Sequence, residues 1–97
     1  MSIIDKLNKA FDHRIRLGIM SILIVNDAAD FKQLKEELGV TDGNLASHTK
    51  ALEKEKYIRV EKSFIGRKPN TKYIITQHGK EAFTSHINAL EKLIKNG

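Results

Sequence analysis

The stretch DFKQLKEELGVTDGNLASHTKALEK, residues 30–54, contains two helix starts separated by one helix stop. Asp30 precedes Phe31 and Gln33 follows three positions after the aspartate, which is the spacing of a capping box. Phe31, Leu34 and Leu38 then share one helical face. Gly39 stops this helix, because glycine readily takes the left-handed backbone at a helix end. Only Val40 intervenes before Thr41, which can cap a second helix running to about Glu55. Two helices joined by so short a turn must share a core, and Leu34, Leu38, Val40 and Leu45 are spaced to close the corner. The segment therefore reads as a helix-turn-helix over about 31–55.

The second helix of the pair has two unlike faces. At about 100° per residue, Leu45, Thr49 and Leu52 point inward while Gly43, Ser47, Lys50 and Lys54 point the opposite way. Asn44 and Ala51 flank the outer face. That face is small, polar and cationic, without a bulky apolar anchor.

Upstream, Ile3, Ile4, Leu7 and Phe11 fit one face of a short first helix, and Asp12 is placed to cap another from His13 to about Asn26. The latter carries Ile15, Leu17, Ile19, Met20, Ile22, Leu23, Ile24 and Val25 around much of its girth, the pattern of a central helix. Downstream the period changes to two. Ile58 and Val60 alternate with Arg59 and Glu61, and Thr71, Tyr73 and Ile75 with Lys72 and Ile74. Phe64 to Asn70 lie between, rich in turn formers, so the segment reads as a β-hairpin with a long basic tip, Phe64 either anchoring its base or stacking on a nucleobase. A last helix begins near Thr76. Its Phe83, Ile87, Leu90 and Ile94 are spaced like a coiled-coil seam, widened by Ala82, His86 and Leu93. The stripe either packs on the chain's own core or, being more than so small a domain covers, joins a second copy. The predicted fold is mainly α with a small β-hairpin (α+β): one winged helix-turn-helix domain over 1–97, with the wing at about 58–75 and a dimerisation helix at about 76–96.

Composition narrows the function classes. The chain has 97 residues and 40% hydrophobic content, enough for one small core and little room for a deep substrate cavity. There is no cysteine, which excludes disulfides, thiolate metal sites and cysteine nucleophiles. The longest apolar run, Ile22–Val25, is far short of a membrane span, and Met1 leads into a charged periodic segment rather than a signal peptide. A cytoplasmic protein without membrane association is expected. The net charge is +5, and it is uneven. Residues 41–72 hold eight basic residues against four acidic ones, whereas residues 1–40 balance six against six. Such asymmetry fits a polyanionic partner or a solvated basic face. No GxSxG, P-loop or metal-ligand cluster is present, so no enzyme and no cofactor are expected.

In a winged helix the second helix of the pair enters the major groove of double-stranded DNA and the hairpin reaches an adjacent groove. Asn44 is suited to adenine, Ser47 to a base or phosphate, and Gly43 to close backbone approach. Thr41 and Asp42 open the helix, whose free amides attract a phosphate, and Lys50 and Lys54 would neutralise others. The hairpin contributes Lys62, Gly66, Arg67, Lys68, Asn70 and Lys72, with Arg67 suited to a narrow minor groove. His48 is either a packing residue or a DNA contact. Arg14 and Arg16 are either backbone contacts or solvated, and His13, His78 and His86 read as surface or interface residues.

The run Phe31 to His48, then Leu52-Glu53, Tyr57-Ile58, Gly66 to Thr71 and Ile75 to Lys80 resembles the winged-helix transcriptional regulators of the MarR/ArsR superfamily, in particular a compact group with little beyond the DNA-binding domain. The resemblance implies a homodimeric DNA-binding regulator. It assigns recognition to Asp42–Lys50, the wing to Gly66–Asn70 and the dimer interface to the terminal helices, here Ile3, Ile4, Leu7, Phe83, Ile87, Leu90 and Ile94. The metal sites of ArsR-type sensors are not matched. Cysteine is absent, His78 and His86 stand about 12 Å apart along a helix, and Ala89 occupies the position three after His86. A small-molecule effector stays unidentified. The alternative to a regulator is a winged-helix protein-interaction module, since fold alone does not fix function.

Overall fold

The computed structural model describes residues 2–96, with the side chains of Ile3 and Asn96 outside the description. Two short 3-10 turns, Ile3–Lys6 and Lys9–Phe11, lead into α1 (Arg14–Asn26). Then come β1 (Ala28–Asp30), α2 (Phe31–Leu38), α3 (Asp42–Lys54), the hairpin strands β2 (Ile58–Ile65) and β3 (Lys68–Ile75), and α4 (Gln77–Asn96). The fold is the α+β winged helix expected, with one strand more than the hairpin.

α1 is central, touching α2, α3, β1 and β3. Its Ile19, Met20 and Leu23 are fully buried with Phe11, Leu34, Leu45 and Leu52, which together form the core where α1, α2 and α3 meet. The helix is not apolar all round in effect, because Val25 is exposed. His13, not Asp12, caps it: the imidazole Nδ1 accepts from the Ile15 N–H at 3.2 Å.

The extra strand was illegible because three residues are too few to display a period of two. β1 pairs antiparallel with β3, Ala29 opposite Tyr73, so β3 becomes the middle strand in the order β1-β3-β2. The predicted helix over residues 3–11 is instead two 3-10 turns, and Phe11 leaves the supposed stripe to enter the core. Its ring lies 5.2 Å from Tyr57, 5.3 Å from Phe83 edge-on and 5.3 Å from His86. Burial of one large ring among three others fixes the N-terminal segment across α4.

The helix-turn-helix forms as read, with one amendment. Asp30 accepts from the Gln33 N–H at 2.8 Å, but the Gln33 side chain turns to Glu37 rather than back to close the box. Gly39 takes the left-handed conformation at φ +63° and its N–H donates to the Lys35 carbonyl, while Thr41 accepts from Asn44 N–H at 3.2 Å. α3 then closes through paired bonds from Lys56 N–H to Glu53 and from Tyr57 N–H to Leu52. This reversal starts β2 directly at the helix end. Thr76 ties the far end of the hairpin to the same place, its hydroxyl donating to the Lys56 carbonyl at 2.8 Å and accepting from Gly79 N–H at 2.9 Å.

The hairpin differs from expectation at its tip. The ladder runs without a break to Ile65 opposite Lys68, leaving a two-residue turn, Gly66-Arg67. Gly66 has φ +64°, as the first position of a II′ turn requires. Beyond Val60 on β2 no residue is buried, so the outer half of the hairpin stands away from the body of an elongated molecule measuring 53 × 25 × 21 Å. Pro69 costs the ladder nothing there. It lies beyond the reach of β1 and opposite Phe64, at a non-hydrogen-bonded pair when counted from the turn.

Candidate nucleic-acid interface

Leu45, Thr49 and Leu52 are buried, and Thr49 returns its hydroxyl to the Leu45 carbonyl at 2.9 Å, so the inward face of α3 is apolar and satisfied. The rotation this imposes leaves Gly43, Asn44, Ser47, Lys50 and Lys54 exposed together on the other side. A side-chain carbon placed on Gly43 would meet open space, so its backbone is open to close approach. Lys50 and Lys54, one turn apart, frame a shallow depression with Ser47, Ala51 and Glu53. Thr41 and Asp42 have local duties: one caps α3, and the other accepts an ion pair from Lys35 at 2.7 Å across the turn.

His48 is half-buried and engaged. Arg16 Nε donates to its Nδ1 at 3.0 Å, and the His13 ring lies over it at 4.0 Å. Burial, then the neighbouring His13 and Arg16 charges, hold the His48 pKa below its ordinary 6.5. Arg16 also reaches the Ala10 carbonyl at 3.4 Å. It is thus a brace from α1 to α3 and not the free cation its sequence position allowed. The partners are 32 positions apart, and no local spacing announces them.

The hairpin does not gather all its predicted residues. Strand alternation puts Lys62 on the face that continues the core and Lys68 and Lys72 on the opposite one, with Arg67 at the turn. Lys72 sits between Glu61 on β2 and Asp30 on β1, two carboxylates directly opposite it. Asn70 is half-buried, whereas Lys62, Gly66, Arg67 and Lys68 are exposed. Phe64 does not anchor the base: it is 72% exposed beside Ile65 at 66%, both next to the turn.

α4 corrects two further expectations. Phe83, assigned to the subunit interface, is buried in the chain's own core against Phe11. His86, read as a surface or interface residue, is buried too and accepts the Asn8 N–H at 2.9 Å; burial lowers its pKa, with Asp12 opposing. His78 lies 5.0 Å from the Tyr57 ring. The outward stripe is shorter: Ile87 at 41% and Ile94 at 81% exposure, with Leu90 half-buried between them and Ile4 exposed alongside Leu7 on the N-terminal segment. Ile3 of the predicted interface lies outside the described side chains. Among the described residues no group of three or more histidine, aspartate or glutamate side chains is placed to hold a metal, and no helix is long and apolar enough to cross a membrane.

An outward polar helix of this kind beside a protruding basic hairpin defines the class, and residues 15–94 match the family described as the winged helix DNA-binding domain. The chain belongs to that family. It is 36% identical over 88 residues to the uncharacterized protein MJ0432 of Methanocaldococcus jannaschii, covering 91% of this chain and 96% of that one. Its structure is similar to that of a transcriptional regulator homologue from Pyrococcus horikoshii OT3, with TM-score 0.86, 31% identity and coverage of 92% and 88%. Disulfide-formed AbfR shares the fold alone, at TM-score 0.66 and 12% identity, with coverage of 90% of this chain and 64% of that one.

Proposed function

We propose that the protein is a sequence-specific, homodimeric transcriptional regulator that reads a pseudo-palindromic DNA site. The observation that carries this reading is the outer face of α3, where Asn44, Ser47, Lys50 and Lys54 are exposed around an open Gly43. A face built to bind protein would present aromatic or apolar anchors there. The likeness to the Pyrococcus regulator homologue supports the same reading. Asn44 and Ser47 read base edges in the major groove, Lys50 and Lys54 hold phosphates, and Arg67 with Lys68 carries the wing to the minor groove. Two copies joined through Ile87, Leu90 and Ile94, with Ile4 and Leu7 at the margin, set their α3 helices about 34 Å apart in successive major grooves.

Selection of bound fragments from a random duplex pool at near-physiological salt tests the function. An enriched inverted repeat is expected; salt-sensitive binding without a motif would reduce the protein to an architectural role. No binding by the folded protein would favour the interaction module. Dimerisation is tested by Ile87→Asp with Leu90→Asp, which should sediment as a folded monomer. A persisting dimer would remove α4 from the interface.

A further inference from the structure

Phe64 and Ile65 are the largest apolar side chains on the outer hairpin, and both stay mostly exposed, beyond the reach of the protein's core. The same strand shows the contrast: Ile58 is buried and Val60 half-buried on the face that Phe64 continues, but the body of the protein ends before residue 64. An exposed aromatic ring forgoes the burial energy its surface offers, so its placement at a tip fits a partner that covers it. The chemistry around the ring indicates which partner. From residue 62 to 68 the chain holds Lys62, Arg67 and Lys68 and no carboxylate, so the tip suits an anionic partner. Lys62 lies two positions away on the ring's own face, and Arg67 lies in the turn beyond it.

Resting on the placement of the wing in the minor groove, we propose that Phe64 enters that groove as an apolar wedge, partly unstacking one base step and bending the duplex toward its major groove. The dimensions require a single side chain to do this. Paired strands are about 4.8 Å apart, and the minor groove is only about 6 Å wide, so the hairpin itself stays outside. Phe64 and Ile65 point to opposite faces, so one approach admits one of them. Phe64 presents a flat ring, and Pro69, its cross-strand partner on the same face, stiffens the neighbouring strand. Lys62 and Arg67 bracket the ring and take phosphates on either side of the opened step. A kink toward the major groove opens the minor groove at that step, so that more of the tip lies against the duplex, and the added contacts offset the cost of unstacking.

The test uses the full chain and the duplex recovered by selection, labelled at its ends for energy transfer and carrying 2-aminopurine across the wing-facing segment. The protein should raise 2-aminopurine fluorescence and shorten the end-to-end distance. Phe64→Ala, folded by circular dichroism, should abolish both and weaken binding about tenfold with an unchanged salt slope, because a wedge releases no counterion. Phe64→Leu should retain the bend. Arg67→Ala should instead lower the salt slope by about one unit. Unchanged fluorescence with the native protein, or a bend that survives Phe64→Ala, would overturn the wedge alone if Arg67→Ala still lowers the slope. If the slope is also insensitive to Arg67→Ala, the wing's place in the groove fails as well.

Discussion

α3 and the tip of the hairpin are the two surfaces proposed to meet DNA, and they are held in unlike ways. α3 is fixed from behind by Leu45, Thr49 and Leu52, at its start by Thr41, and along its flank by the Arg16–His48 bond and the His13 ring. Its outer face is set before any partner arrives. The tip has only its own ladder and a two-residue turn, and no buried residue beyond Val60 on β2. One surface is held by packing on the core; the other extends the reach of the molecule and has few contacts in its own chain.

The comparison can be broken most forcefully through stability. Leu45→Ala should cost about 2–5 kcal/mol in urea unfolding, because it empties a site at the junction of α1, α2 and α3. Phe64→Ala removes a larger side chain and should stay within about 0.5 kcal/mol of the native value. A comparable loss at both would mean the tip is packed in solution. Next in size is the double change Arg67→Ala, Lys68→Ala. It should reduce the salt slope by about two units while leaving the melting temperature in place. An unchanged slope would leave α3 as the sole contact surface.

Asn44→Ala sharpens the other side. It should relax base preference at one position of each half-site, worth about 1–3 kcal/mol of discrimination, with little effect on the salt slope. Uniform weakening over all sequences would make Asn44 a phosphate contact. The smallest effect is pH-dependent and belongs to the packed region alone. His48 and His86 both have folded pKa values below 6.5, chiefly through burial. The unfolded chain therefore binds protons more readily than the folded one over the interval below 6.5. Stability is complete above that value and declines as the pH falls through it. His48→Gln should remove the His48 part of this decline in urea titrations at several pH values, leaving the His86 part. An identical decline in the variant would show that protonation does not strain the contact with Arg16 and His13.

Most of the α3 surface was legible because it depends on short-range rules. A helix of known start and period must turn Gly43, Ser47, Lys50 and Lys54 away once Leu45, Thr49 and Leu52 turn inward. The tip was read less well. Pro69 and Asn70 suggested a long loop, yet Pro69 fits a strand because β1 is too short to reach it. Phe64 looked like an anchor by its chemistry, and only the distance from the body left it exposed.

The helix-turn-helix, the hairpin and the cationic middle third could be read along the chain, since capping, period and turn chemistry act over a few residues. Packing in three dimensions settled which members of each stripe are used. Phe11 and Phe83 shared patterns with surface residues, and each became core because the other was there to meet it. β1 exists because β3 lies beside it, and Arg16 is a brace because His48 is within 3.0 Å. Contacts between residues dozens of positions apart leave no local period, so packing alone could assign them.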